Sequence, residues 1–293
     1  MKRINQDGAT HLMIILFVIV IGVVGFLGWR AVQAINYKNK TADSSQKNEV
    51  NTNTKTESGL FDYNNPQKFV QADFVELDKV YEVSKFRSGV GHDFSYGTGE
   101  SCRSMKHYFT SIDPTQPDYK QLGGGDKAEF PAPSIEKDVK IFSPVDGTLK
   151  TVNYDNIAYN QELAIVPDDY PEITIRLMHV QNAPGIKDGK IKAGGLIGLV
   201  LANQSFDIAI QVMTKGPNKM AYVSYFDVLP DSLMKNYIAR GVKSREQLII
   251  TKKYRDTHPY QCVGKEVFVE NYLVTEPIEA NVVQLSGYDE VAE

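Results

Sequence analysis

Eighteen consecutive residues near the N-terminus, Leu12 to Trp29, carry no charge and read LMIILFVIVIGVVGFLGW. As a helix rising ~1.5 Å per residue, such a run reaches ~27 Å, close to the ~30 Å hydrocarbon thickness of a bilayer. The expected element is a single transmembrane helix, with Trp29 at the interface. A cleavable signal peptide is the competing reading, but its apolar core is shorter and needs a small-residue cleavage site. Ala31-Val32-Gln33-Ala34 matches such a site weakly. Flanking charge does not orient the helix. Lys2 and Arg3 lie on the short side, and Arg30, Lys38, Lys40 and Lys47 on the long side. The positive-inside count therefore does not favour an external C-terminal part.

The rest of the chain is soluble in composition. Residues 36–66 are dominated by Asn, Lys, Thr, Ser and Gln and cannot bury a core, so they read as a flexible tether. Four segments follow: a tail and transmembrane helix (1–34), a polar linker (35–66), a β domain (67–228), and short helices with a C-terminal extension packing on it (229–293). The net charge of -4 offers no basic patch, which excludes nucleic acid as the expected partner. Cys102 and Cys262 permit one disulfide, too few to establish an oxidising compartment.

Short β-type runs begin near Phe69. Phe74 to Val80 alternates, and further runs start at Val139, Gly147, Leu163, Ile173, Leu196, Phe206 and Tyr222. Turn signals such as Pro144-Val-Asp-Gly147, Asp188-Gly189 and Ala193-Gly-Gly195 separate them. The fold class is mainly β, an antiparallel sandwich or barrel. After Asp227 a helix is expected from Pro230 to Arg240, stopped by Gly241. Ser244 and Gln247 have the spacing of a capping box for a second short helix. Residues 267–274 read as a last strand.

The segment Val139 to Val212 resembles the M23 (lysostaphin/LytM-type) metallopeptidase domain and the duplicated hybrid β fold related to it. Three stretches carry the likeness: IFSPVDGTLKTV from Ile141, Leu177-Met-His179-Val, and Lys192-Ala-Gly-Gly-Leu-Ile-Gly198. Upstream, Phe86-Arg-Ser-Gly-Val-Gly-His92-Asp93-Phe resembles the strand that carries the family's H-x-x-x-D. With this segment the likeness covers residues 74–212. It implies a zinc site whose ligands come from H-x-x-x-D and from the second His of H-x-H. Here only Asp93 matches a ligand, because Gly89 and Ala209 stand at the other two positions. Asp207 replaces the first His of H-x-H, and His179 matches a site residue that is not a ligand.

A catalytic zinc needs three protein ligands and an open position, so no cofactor is expected, zinc being the one the family would supply. His92 would converge with Asp93 only across a bulge, since neighbours on a strand face opposite ways. His107 could fold over from the segment after Cys102. The binding-cleft candidates are therefore His92, Asp93, His107, His179 and Asp207, with Asp207 and His179 facing one another if the family geometry holds. Cys102 and His107 could form a nucleophile–base pair. An external domain favours instead a Cys102–Cys262 disulfide. The resemblance implies a single-pass protein of the cell membrane with an extracytoplasmic domain that binds peptidoglycan or regulates a cell-wall hydrolase. An active zinc endopeptidase with rearranged ligands and an envelope scaffold are the alternatives.

Overall fold

Alternation of apolar and polar side chains gives a strand one buried and one free face. A computed structural model describes residues 61–111, 134–153, 161–201, 204–215, 218–260, 262 and 278–287. Within them twelve strands pair antiparallel. They are β1 (Glu82–Ser84), β2 (His107–Thr110), β3 (Val139–Phe142), β4 (Gly147–Asn153), β5 (Gln161–Pro167) and β6 (Ile173–Met178). There follow β7 (Gln181–Asn182), β8 (Gly189–Ile191), β9 (Leu196–Val200), β10 (Ser205–Met213), β11 (Met220–Val223) and β12 (Val282–Gln284). The helices are short: α1 (Tyr225–Val228), α2 (Asp231–Ala239), α3 (Lys252–Thr257) and α4 (Ile278–Asn281). The expected transmembrane helix, the strand over 267–274 and the tether as far as residue 60 lie outside the described residues; of the tether's last residues, Phe61 is buried in the core instead of lying free. Among the described residues no helix is long and apolar enough to cross a membrane.

The large sheet runs β12-β1-β2-β10-β6-β5-β4-β8, with β11 added beside β10. The small sheet is β3-β9-β7. The register shows why β6 and β10 lie at the centre. Ile173, Ile175 and Leu177 oppose Val212, Ile210 and Ile208, so both strands turn their branched side chains to one face. These residues, with Ile141 and Ile197 of the small sheet and Phe226 and Tyr237 of the helices, share one core. The other face is polar. It carries Glu162, Arg176, Asp207 and Tyr222, along with a small apolar cluster of Phe86, Met105, Met178, Ala209 and Tyr222.

Three expectations need correction. Phe74 to Val80 is not a strand: Val75 makes one bridge to Ile141, and Leu77–Lys79 is a 3₁₀ turn. Phe74 and Val80 are buried, but as anchors of an irregular crossing rather than as one face of a strand. Ser244 does not cap the turn at Arg245–Leu248, which is also 3₁₀. Its hydroxyl serves the Glu246 carboxylate, while Gln247 accepts from the Lys243 amide at 2.7 Å. Third, residues 88–104 form no site strand. They loop across the polar face, with Gly91 at φ 76° and Cys102 at φ 53°. The helix expected from Pro230 does form as α2, and Gly241 follows it at φ 94°, a conformation glycine adopts without strain.

Candidate functional site

The polar face draws its side chains from alternate positions. On β2, Lys106 and Tyr108 flank His107, so the lysine and tyrosine turn to the polar face and the histidine to the core. Asp207 opposes Tyr108 across β10, and Met178 opposes Asp207 on the other side. Lys106 Nζ lies 3.2 Å from Asp207 Oδ2 and 3.2 Å from His92 Nε2. It also bonds the Tyr108 hydroxyl and lies 4.6 Å from the Phe94 ring centre and 4.7 Å from that of Tyr108. Both Lys106 and Asp207 are fully buried. Burial pulls the lysine toward neutrality, but Asp207 and Tyr108 outweigh it and hold its pKa above the ordinary value. The ammonium is therefore charged at neutral pH.

Four of the five candidate residues have polar-face or loop roles, and only some of them meet. His92 turns into the cleft. Its Nδ1 faces the Asp93 carbonyl at 3.1 Å, which makes Nδ1 the protonated nitrogen and leaves the Nε2 lone pair for Lys106. Asp93 turns away. Its Oδ1 accepts from Ser95 N (3.0 Å), Ser95 Oγ (2.5 Å) and Arg103 N (3.2 Å), and its Oδ2 from Cys102 N (3.2 Å). It therefore folds the loop instead of facing the cleft. His179 ends β6 at φ 61°, with its side chain 38 % exposed and Nε2 3.6 Å from Asp207 Oδ2. That distance suits an ion pair but not a hydrogen bond.

His107 belongs to the core. It is fully buried between Ser84 O (2.7 Å from Nδ1) and Ser224 Oγ (2.7 Å from Nε2). Ser224 in turn caps α1 by accepting from the Phe226 amide. Burial drops the pKa of His107 to about 4, with the Ser84 carbonyl opposing the shift. It is neutral, and the expected pairing with a cysteine nucleophile fails, because Cys102 is bonded to Cys262 with a Cα–Cα distance of 5.3 Å; the hydroxyl beside it, Ser224, is a buried helix cap.

Residues that carry no motif complete the polar face. Arg176 forms a two-pronged pair with Glu162 at 2.7 and 2.6 Å. Its guanidinium lies 5.3 Å from the Phe94 ring centre. Phe94, carried by the 88–104 loop, thus covers both Lys106 and Arg176. Glu100 ties that loop down, accepting from Arg87 at 2.8 and 3.0 Å and from Arg103 at 2.7 Å. Arg103 continues to Asp256 of α3 at 2.9 Å. The alternation of Lys106, His107 and Tyr108 was the available signal for the buried lysine. Nothing local marks Phe94 as a cover.

Gly91 makes the lysine site possible. A side chain there would overlap the Tyr108 hydroxyl, and its φ of 76° is left-handed. Gly91→Ala is expected to destabilise the protein by about 2–4 kcal/mol, through backbone strain and overpacking. Denaturant unfolding measures it, and a change below ~0.5 kcal/mol would remove the glycine from this account.

No set of donors among the described residues fits a catalytic zinc. Among the described residues, only Asp93, Cys102 and Cys262 bring three potential donor atoms within 4.8 Å of one another. The two sulfurs are joined to each other and offer no thiolate, and Asp93 is committed to its loop. At Asp207 the carboxylate already faces the ammonium of Lys106.

No family model matches the chain, and no curated protein matches it. Solved structures offer distant likenesses. One is LytM of Ruminococcus gnavus, described as a glycyl-glycine endopeptidase: 16 % identity, 34 % of this chain and 42 % of that one, TM-score 0.25. The catalytic domain of the antimicrobial peptidase lysostaphin from Staphylococcus simulans shares 12 % identity over 29 % of this chain and 74 % of its own, TM-score 0.22. Csd3 of Helicobacter pylori shares 16 % over 68 % of this chain and 43 % of its own, TM-score 0.33. The chain thus spans less than half the length of the first and third of these structures.

Proposed function

We propose that this protein is a single-pass membrane protein whose M23 peptidase-like domain lies outside the cytoplasm and holds peptidoglycan without cleaving it. The family-like stretches support the domain assignment by where they fall. Gly147 opens β4, Leu177-Met178 closes β6 just before His179, and Gly194-Gly195 turns into β9. Asp207 and Ala209 lie on β10, paired with β6. The observation that carries the non-cleaving reading is the ammonium of Lys106, fully buried against the Asp207 carboxylate of β10, which His179 also faces. An open cation position would be needed there to activate water. His179, its side chain 38 % exposed above the buried pair, is the group there that a ligand would touch. The apolar run Leu12 to Trp29 supports the anchor.

The test incubates the full-length protein, in detergent micelles, with insoluble peptidoglycan. The protein is expected in the pellet, with no soluble muropeptides released. His179→Ala is expected to weaken retention roughly tenfold, the scale of one lost polar contact. Release of muropeptides would overturn the non-cleaving part of the proposal. Absence of retention would overturn the peptidoglycan part and direct the search to a protein partner, such as a hydrolase.

A further inference from the structure

We infer that the cleft of this protein has a built-in cation: the ammonium of Lys106 holds the position between Asp207 and His92 and closes it to a divalent ion. This stands on side-chain geometry alone, whatever the groove binds. A protonated lysine has three N–H donors and no acceptor. Three acceptors meet it here: Asp207 Oδ2 and His92 Nε2, each at 3.2 Å, and the Tyr108 hydroxyl oxygen. The His92 amide in turn bonds that tyrosine oxygen, so the same residue supplies one acceptor and orients another. Two aromatic faces, Phe94 and Tyr108, complete the shell at cation–π distance.

The acid is arranged for a cation as well. Asp207 is fully buried, and its Oδ1 has no hydrogen-bond partner among the described residues. A buried carboxylate with one unpartnered oxygen is strongly stabilised by a compensating charge beside it. Lys106 is that charge. Ala209, two residues along the same face of β10, contributes no donor atom, and His179 stays 3.6 Å from Oδ2. A metal at bonding distance from Asp207 would have to displace the ammonium, or lie beside it against like-charge repulsion.

The experiment compares melting and cobalt binding in the full-length protein and four variants. Lys106→Met keeps the chain length and removes the charge, stranding Asp207. Its melting temperature is expected to fall by about 10 °C. Lys106→Met combined with Asp207→Asn removes both charges and is expected to recover at least half of that loss. Lys106→Ala opens the position, and Co²⁺ is expected to raise its melting temperature and give a visible absorption band. The same ion should do neither in the wild type. Should a single Lys106 variant fail to fold, folding of the double variant is the expected result. Failure of the double variant while Asp207→Asn alone folds would overturn the inference, since the lysine would then be needed for something other than the charge of Asp207. Lys106→Met as stable as wild type would overturn it too. So would a folded Lys106→Ala that ignores cobalt, or a wild type stabilised by cobalt in a way that Asp207→Asn abolishes. Peptidoglycan retention is read separately, so either proposal can fail without the other.

Discussion

Replacing Cys262 by Ser is expected to lower the melting temperature of this protein by about 10–20 °C. The bond joins residues 160 apart in sequence. Closing a loop of that length removes unfolded-state entropy worth roughly 5 kcal/mol in the chain-entropy model, although measured disulfides often deliver less. The native side adds to the effect. Cys102 holds a left-handed backbone at φ 53°, supported by the bond and by the Asp93 carboxylate on its amide. Loosening that corner frees the loop that carries His92 and Phe94 over Lys106. Reductant should reproduce the loss in the wild type and leave the serine variant unchanged. A melting point that ignores both would mean the crosslink contributes nothing.

The second large effect is one of pH, and two buried groups oppose each other in it. His107 is held neutral with a pKa of about 4. Its contribution is fully present above the unfolded value near 6.5 and is lost as pH falls toward 4, by about 3 kcal/mol. Asp73 runs the other way. Burial raises its carboxyl to about 6, although Tyr237 (2.8 Å), Tyr225 (3.1 Å) and the Phe74 amide donate to Oδ1. The residue is partly accessible, but the carboxylate is enclosed: Oδ2 is buried without a hydrogen-bond partner among the described residues. A raised acid contributes stability below its unfolded value of 3.8 that is lost as pH rises through 6, again about 3 kcal/mol. Between pH 4 and 6.5 the two contributions nearly cancel in the wild type. Asp73→Asn is therefore expected to unmask the histidine, losing about 3 kcal/mol on acidification from pH 7 to 4. His107→Gln is expected to do the reverse and gain stability over the same interval. Urea unfolding at fixed pH values reads both slopes, and parallel curves for wild type and variants would sink the assignment.

Much of the sheet was legible because its central strands follow the rule of two. In β6 the residues Ile173, Ile175 and Leu177 announce a buried face, and β10 answers with Ile208, Ile210 and Val212. The strands that escaped are those with little apolar content. β1 is Glu-Val-Ser and β8 Gly-Lys-Ile, and their pairing is decided by neighbours far away in sequence. β2 escaped because His107 looked like chemistry, when it is a core residue bonded at both nitrogens. The candidate site was half legible for the same reason. Asp207 and His179 could be brought together by analogy with a known arrangement, but Lys106 carries no motif, and its partners come from the 88–104 loop and β10 meeting β2. The path of residues 88–104 was not readable at all. It is set by the Asp93 and Glu100 bonds and by the disulfide, which are tertiary facts without a local period.

The disulfide also decides how the molecule meets a pulling force. Every strand from β2 to β11 lies inside the covalent loop it closes. Tension on the two chain ends can peel away β1, β12 and α4, and then it meets the bond. The enclosed segment spans 160 positions, or roughly 540 Å of extended chain, and none of that length can be paid out while the sulfurs stay joined. A domain loaded in this way would transmit force through its crosslink and keep the Lys106–Asp207 pair intact behind it.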